Sequence, residues 1–397
     1  METAVRPSLS GRTRIESLDG VRGIAVILVL AVHFQNMAVL PQTSAVSRWL
    51  SGLMSWGWSG VDLFLVLSGF LITGILLDTT DSEKRFQSFY HRRILRTFPL
   101  YYAVVLLSLA ASVLVRHSNH ILGPSPIGWV AYLLYVQNWW MPFGDPHHME
   151  FLGPLWSLAI EEQFYLVWPL CVWRLSTRTL TKICSLGVLG AFLLRFGLTS
   201  HITPTLGFVV YLNTFTRMDA LLVGGLCAIA VRDTVLLVRF RKLAPIALAA
   251  VASGLALIVF RGHDAWNDPD VLVYGHLLLA IGFACLILLA YYLNGAGTAF
   301  DKTLCSKSLK LFGKYSYGIY VYQGLVLELT LHLFRHRPWW GYSIRNALLV
   351  AFAWVAGPFL IAFLSYHLFE KRFLRLSASS RASRRGSRAK AVSPDPY

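Results

Sequence analysis

The chain has 397 residues, of which 55% are hydrophobic and only 14% charged. That is too apolar for a water-soluble fold of this size, so the surplus surface needs lipid. A net charge of +16 does not indicate nucleic acid here, because the basic residues cluster on no soluble domain and form no nucleic-acid module. They follow a membrane topology instead.

Taken in order, the chain opens with Arg6, Arg12 and Arg14 ahead of an apolar run. That layout resembles a signal peptide, yet the run holds Arg22 and His33 and lacks a small-residue cleavage site, so it reads as a signal anchor. A span needs about 20 largely apolar residues. Such runs predict ten helices, at 19–40, 56–77, 98–115, 154–173, 183–200, 215–231, 243–260, 271–293, 313–333 and 346–367. The expected class is an all-α integral membrane protein with no soluble domain. An even count places both termini on one side. The segments on that side carry 27 of the 36 Lys and Arg, the opposite loops 6, and the asymmetry predicts cytoplasmic termini. Residues 1–18 then form a cytoplasmic segment, 19–373 the membrane domain, and 374–397 a small, polar, basic tail expected to be disordered against the anionic inner leaflet. The connection 116–153 is rich in aromatics (Trp129, Tyr132, Tyr135, Trp139, Trp140) and is expected to lie along the outer interface.

Ionisable groups at membrane depth are costly unless paired or facing a cavity, so each is a functional candidate. The first span carries Asp19, Arg22 and His33. Arg22 and His33 are eleven residues apart, almost three whole helical turns, so they share a face while standing about 16 Å apart along the axis. Arg22 also reads as a positive-inside anchor paired with Asp19, and His33 as a packing residue bonded to a carbonyl. The fourth span carries Glu161 and Glu162 at a depth matching His33, so one of them is expected to face the imidazole and orient it for general-base work. Which one does so stays open. Arg217 and Asp219 are expected to pair near the outer end of the sixth span. Arg92, Arg93 and Arg96 precede the third span, with Pro99 shaping its start. Arg92 and Arg96, at i and i+4, form one cationic face suited to phosphate, or else anchor the helix. The five cysteines include no CxxC pair and read as packing residues, and His147 and His148 lack further ligands at useful spacing, so no metal or redox cofactor is expected.

Several strings, in this order, resemble the acyltransferase family 3 membrane proteins, which include bacterial O-antigen and macrolide O-acyltransferases. They are Arg22-x10-His33 within DGVRGIAVILVLAVHF, GVDLFLVLSGFLIT at 60–73, FYHRRILRTFP at 89–99, LWSLAIEEQFYL at 155–166, RMD at 217–219, YSYGIYVYQ at 315–323 and SYHLFEKRF at 365–373. The resemblance implies a ten-helix enzyme of the bacterial cytoplasmic (inner) membrane that takes an acyl group, short by expectation, from acyl-CoA. No tightly bound cofactor is implied. The acceptor would be a hydroxyl of a carbohydrate or macrolide, and membrane lipids are the remaining partner; no nucleic acid is expected. By the resemblance His33 would be the catalytic base, Arg22 essential, and Arg92, Arg93 and Arg96 the CoA end; the matching depth adds Glu161 as the residue expected to orient the imidazole. Asp62, Glu162, Arg217 and Asp219 are the candidates for substrate contact. Many relatives carry His where this chain has Gln323, which puts an acid–base role there in doubt, and larger relatives append an outer hydrolase-like domain without which this chain is expected to work. The competing reading is a polytopic transporter of a small polar or glycan substrate, distinguished by flux without acyl-CoA consumption.

Overall fold

The computed structural model describes residues 15–37, 40, 44–115, 125–144, 151–200, 203–262, 265–334 and 344–376. The His147–His148 pair, residues 1–14 and the tail beyond 376 lie outside the described residues. Among the described residues every regular element is helical. The order is α1 (Glu16–Asn36), α2 (Ala45–Ser55), α3 (Ser59–Asp78), α4 (Arg85–Val115), α5 (Pro126–Leu133), α6 (Gln137–Trp140), α7 (Trp156–Arg174) and α8 (Thr177–Thr199). There follow α9 (Pro204–Leu212), α10 (Thr214–Ala230), α11 (Thr234–Phe260), α12 (His276–Leu293), α13 (Ala299–Leu304), α14 (Lys307–Phe334) and α15 (Ile344–Ser365). Single π-helical turns at Val271–Gly275 and Tyr366–Glu370 lead into α12 and continue α15.

A long helix occupies each of the ten expected places. Eight helices are long and apolar enough to cross a membrane by length and composition. The other two, α7 and α14, have the length but carry Glu161, Glu162 and Gln163 in one and Lys307, Lys310, Lys314 and Glu328 in the other. Side-chain caps set several starts, as at Asn213, whose Oδ1 accepts from the Phe215 N–H at 2.8 Å, and at Asp233, which does the same for Val235 at 2.8 Å.

Helices α1, α3, α10, α12 and α14 form the middle of the bundle. The most extensive pairing joins α3 to α10, and small residues make it. A Cβ added at Gly69 would stand 1.9 Å from the Leu221 carbonyl oxygen, and one at Gly224 would stand 2.0 Å from that of Val66. Backbone thus lies on backbone from both sides, the close approach that glycine permits between membrane helices. Toward the outside, α8 and α11 expose Leu186, Leu189, Leu193, Leu243, Ile246 and Leu257. Such a surface suits hydrocarbon and would be an aggregation liability in water.

Two expectations need correction. The third helix does not start near Pro99; α4 begins at Arg85, takes in the stretch 89–97 with Arg92, Arg93 and Arg96, and runs unbroken through Pro99. The aromatic connection does not simply rest on the interface. Trp129, Tyr132 and Tyr135 are buried, and the Tyr101 and Tyr102 hydroxyls of α4 donate to the carbonyls of Tyr132 at 2.7 Å and Leu133 at 2.9 Å. Exposed backbone carbonyls at a broken helix must find donors inside a membrane protein, and α4 supplies them.

Candidate functional site

A cavity of about 610 Å³ opens among α1, α3, α4, α7, α14 and the end of α15. Its size is that of small-molecule sites, roughly 300–1,000 Å³. Six of the charged residues singled out in the sequence line it: Asp19, Arg22, Arg93, Arg96, Glu161 and Glu162, joined by Lys314 and Glu370. On α1 the lining runs only from Ile15 to Arg22, and on α14 from Gly313 to Tyr320, so the cavity belongs to the half of the bundle where α1 and α14 begin.

Each cation is held differently. Arg22 donates to Asp19 one turn back at 2.7 Å, as expected. Arg93 lies flat over the Tyr165 ring, 3.8 Å from its centroid, with Nη2 at 3.9 Å from Glu161 Oε2. Glu161 in turn accepts from Ser68 Oγ at 3.0 Å and from the Tyr165 hydroxyl, four residues on along α7. A ring face, a carboxylate and a fixed helix turn therefore orient one guanidinium. Arg96 differs. It is exposed in the cavity, stands within electrostatic range of Arg22 and Arg93 and also of Glu161 and Glu370, and among the described residues forms no ion pair with a carboxylate. Lys314 is exposed as well, its Nζ 4.8 Å from the centroid of Tyr315 and 5.0 Å from that of Tyr366.

At the far end the charge gives way to rings. Phe64 of α3 meets Tyr320 of α14 edge to face, centroids 5.9 Å apart. The Tyr320 hydroxyl donates to the Pro154 carbonyl at 2.7 Å, and Ser157 at the start of α7 donates to that hydroxyl at 2.7 Å. Behind this pair Trp156, Tyr211, Asp62 and Arg217 are all buried.

A profile of the family described as "Acyltransferase domain" matches residues 15–367. The chain belongs to this family. Among the similar curated proteins are the peptidoglycan O-acetyltransferase OatA of Listeria monocytogenes, 30% identical over 92% of this chain and 56% of its own length, and the O-acetyltransferase OatA of Staphylococcus aureus, 29% identical over 78% of this chain and 50% of its own. The chain spans about half the length of the curated relatives it matches. No solved structure matches. The match covers every string on which the resemblance was drawn except the last residues of SYHLFEKRF.

The remaining site candidates fall in three places. His33 is half-buried near the far end of α1, about 16 Å along the helix from Arg22, and does not line the cavity. Glu161 is therefore engaged with Arg93, Ser68 and Tyr165 rather than with the imidazole, and Glu162 faces the cavity beside Thr97. The matching depth estimated for the two helices put His33 and Glu161 too close, because the first turns of α7 pack level with Ser68, midway along α3, and not with the far end of α1. Arg92 does not line the cavity; the cationic face presented to it is Arg93 and Arg96, spaced i, i+3. Asp62, Arg217 and Asp219 form no vestibule. Arg217 pairs with Asp62 at 2.8 Å and Asp219 with Arg195 at 2.7 Å, all four at most 2% exposed. His276 Nδ1 completes the first pair, 3.3 Å from Asp62. The expected Arg217–Asp219 pair fails because two residues apart on a helix point away from each other. Sequence reading also passed over Ser68, Thr97, Lys314, Tyr317, Tyr320 and Glu370. Tyr165, at i+4 from Glu161, was the one neighbour whose spacing could have revealed it.

Proposed function

We propose that the protein is an acyl-CoA-dependent O-acyltransferase of the bacterial cytoplasmic membrane, passing a short acyl group to a hydroxyl of a carbohydrate or macrolide acceptor. What carries this reading is Arg96, a cation exposed inside a cavity of the membrane domain that forms no ion pair with a carboxylate among the described residues, beside Arg22, Arg93 and Lys314. The lining also carries Asp19, Glu161, Glu162 and Glu370; Asp19 is taken by Arg22 and Glu161 lies 3.9 Å from Arg93, so Arg96 and Lys314 are the cations best placed to meet a phosphate. The phosphates of acyl-CoA supply the charge, and the cavity continues past them to the Phe64–Tyr320 end with room for the pantetheine arm. Arg is suited to such contacts through its planar fork.

In this reading the acyl-CoA enters from the cytoplasmic side, where α1 begins, and both termini lie on that side. His33, neutral, accepts the proton of an acceptor hydroxyl arriving from the outer side, and the oxygen attacks the thioester carbon while CoA thiolate leaves and is protonated. The curated relatives' names support acyl transfer to oxygen, with peptidoglycan as one acceptor of this chemical kind. The test is calorimetric titration of acetyl-CoA into purified protein in nanodiscs. Arg96→Ala removes a charge-assisted contact worth about 1.5–3 kcal/mol, so affinity should fall by roughly 10- to 150-fold. Unchanged affinity in both Arg93→Ala and Arg96→Ala would reduce these residues to membrane anchors and remove the donor site from this cavity.

A further inference from the structure

We infer that the side-chain amide of Gln323 holds the carbonyl oxygen of the donor's thioester at the level of His33. The inference deepens the acyltransferase reading above and rests on it.

The starting observation is an orphaned amide. Gln323 is 0% exposed, and among the described residues neither its Nε2 nor its Oε1 has a hydrogen-bond partner. The buried amides of Gln137 and Asn138, by contrast, donate to the carbonyls of Leu155 at 2.9 Å and Leu212 at 3.1 Å. Leaving an amide unmet among apolar groups is costly, and polar side chains between membrane helices ordinarily find one another. The surroundings of Gln323 offer nothing in exchange. Ile319 and Val326, at i−4 and i+3 on α14, share a core cluster with Val26, Leu30 and Phe34 of α1. A ligand with a hydrogen-bonding atom would meet the need.

The contact between α1 and α14 gives the depth of this amide. A Cβ added at Gly313 would stand 1.8 Å from the Asp19 carbonyl oxygen, and one at Gly23 would stand 2.2 Å from that of Leu309. The two backbones therefore touch around Arg22 and Phe312, and both helices start in the same half of the bundle. Eleven residues onward along α1 stands His33, and eleven onward along α14 stands Gln323, each about 16 Å from the contact. The shared level is measured from a point where the helices meet, not from the ends of their spans.

The proposed reaction brings the thioester past the Phe64–Tyr320 end of the cavity to His33. On α14 the turn beyond Tyr320 contributes Val321, Tyr322 and Gln323, and the Tyr322 hydroxyl already donates to Ser365 at 3.0 Å. The amide of Gln323 is the donor left to meet the carbonyl. As the acceptor oxygen bonds to the thioester carbon and its proton passes to His33, the carbonyl pair moves onto oxygen; it returns as the C–S bond breaks and CoA thiolate leaves. A fixed N–H aimed at that oxygen stabilises the charge it carries in between. Glutamine needs no titration for this role.

The experiment titrates acetyl-CoA and S-ethyl-CoA, the same donor without its carbonyl oxygen, into wild type, Gln323→Leu and Gln323→His in nanodiscs. It also follows unfolding of each protein in mixed micelles as denaturing detergent is added. Wild type should bind acetyl-CoA about 2- to 12-fold more tightly than S-ethyl-CoA, the equivalent of one hydrogen bond. Gln323→Leu should erase that difference and leave S-ethyl-CoA affinity as it was, whereas Gln323→His keeps a ring N–H and should retain part of it. Leucine also removes an unmet amide from the interior, so its unfolding midpoint should equal or exceed that of wild type. Equal affinities for the two compounds in wild type, an unchanged ratio in Gln323→Leu, or a loss shared equally by both compounds overturns the assignment and leaves the donor site standing. A lowered midpoint in Gln323→Leu would show that the protein itself holds the amide, and overturns it too. Wild type that binds neither compound overturns the donor-site reading as well.

Discussion

Asp62 and Arg217 lie in motif strings, yet the structure predicts that they support the site rather than touch substrate. Each is 1% exposed, their contact is 2.8 Å, and His276 and Tyr211 complete the surroundings. Asp62→Asn removes one charge and leaves a guanidinium uncompensated in the core, which costs about 3–5 kcal/mol, or two to almost four decades in the folded-to-unfolded ratio. Arg217→Met alone should cost a similar amount, by stranding the carboxylate. Combined, the two replacements leave no unpaired charge at this position, so the double variant should recover most of the loss, since exchanging a whole buried pair for neutral groups is often nearly neutral. The assay is unfolding in mixed micelles as denaturing detergent is titrated in, followed by tryptophan fluorescence; Trp156, with its ring 5.9 Å from the Arg217 guanidinium carbon, reports locally. Acetyl-CoA affinity of the folded fraction should remain that of wild type. An Asp62→Asn protein with the wild-type unfolding midpoint and impaired acceptor use would refute the argument and return Asp62 to the acceptor site.

Other outcomes follow from the same geometry. His33→Ala should insert and bind acetyl-CoA as wild type does, since His33 does not line the cavity, while transfer falls at least 10²- to 10⁴-fold; wild-type turnover would eliminate His33 as the base. Arg92→Ala should leave donor affinity unchanged where Arg93→Ala lowers it, measured by the same titration, and the opposite ranking would show that the wrong face of α4 has been assigned. Gly69→Ala forces a methyl group to within 1.9 Å of a backbone oxygen and should lower stability by about 1–3 kcal/mol in the detergent titration; an unchanged midpoint would mean that α3 and α10 separate freely. Reporter fusions after Asp81 and Lys390 should score cytoplasmic and one after Pro146 external, and a cytoplasmic Pro146 would invert the route of the donor.

The helical class and the places of the long helices were legible because each rests on a local property: a run of apolar residues long enough to span. The Arg22–Asp19 pair was legible for the same reason, being one turn apart. Partners across helices were not. Arg217 found Asp62, 155 residues away, in preference to Asp219 two residues away, and sequence spacing carries no information about which helices adjoin. The His33–Glu161 expectation failed on a related point. Depth estimated from a span's end assumes that spans start level, and α7 starts part-way along α3. Arg96 was read as one cationic face with Arg92, whereas Arg93 is the residue that lines the cavity with it; that Arg96 forms no ion pair with a carboxylate among the described residues depends on what α7 and α14 do with Glu161, Glu162 and Lys314, and only the assembled bundle shows that.

The reciprocal contact of Gly69 and Gly224 also bears on how a molecule of this kind can move. Two helices whose backbones touch cannot slide past one another by repacking side chains, because no side chain lies between them to be rearranged. Helices α3 and α10 therefore travel as one slab, and rocking of half the bundle against the other cannot hinge along this seam. Helix α4 differs: it reaches its neighbours through side chains, with Tyr90 on the Leu166 carbonyl, Arg93 beside Glu161, Tyr101 and Tyr102 on the carbonyls of Tyr132 and Leu133, and the Tyr317 hydroxyl on the Thr97 carbonyl. A widening of the cavity would therefore shift α4 and leave the α3–α10 seam closed.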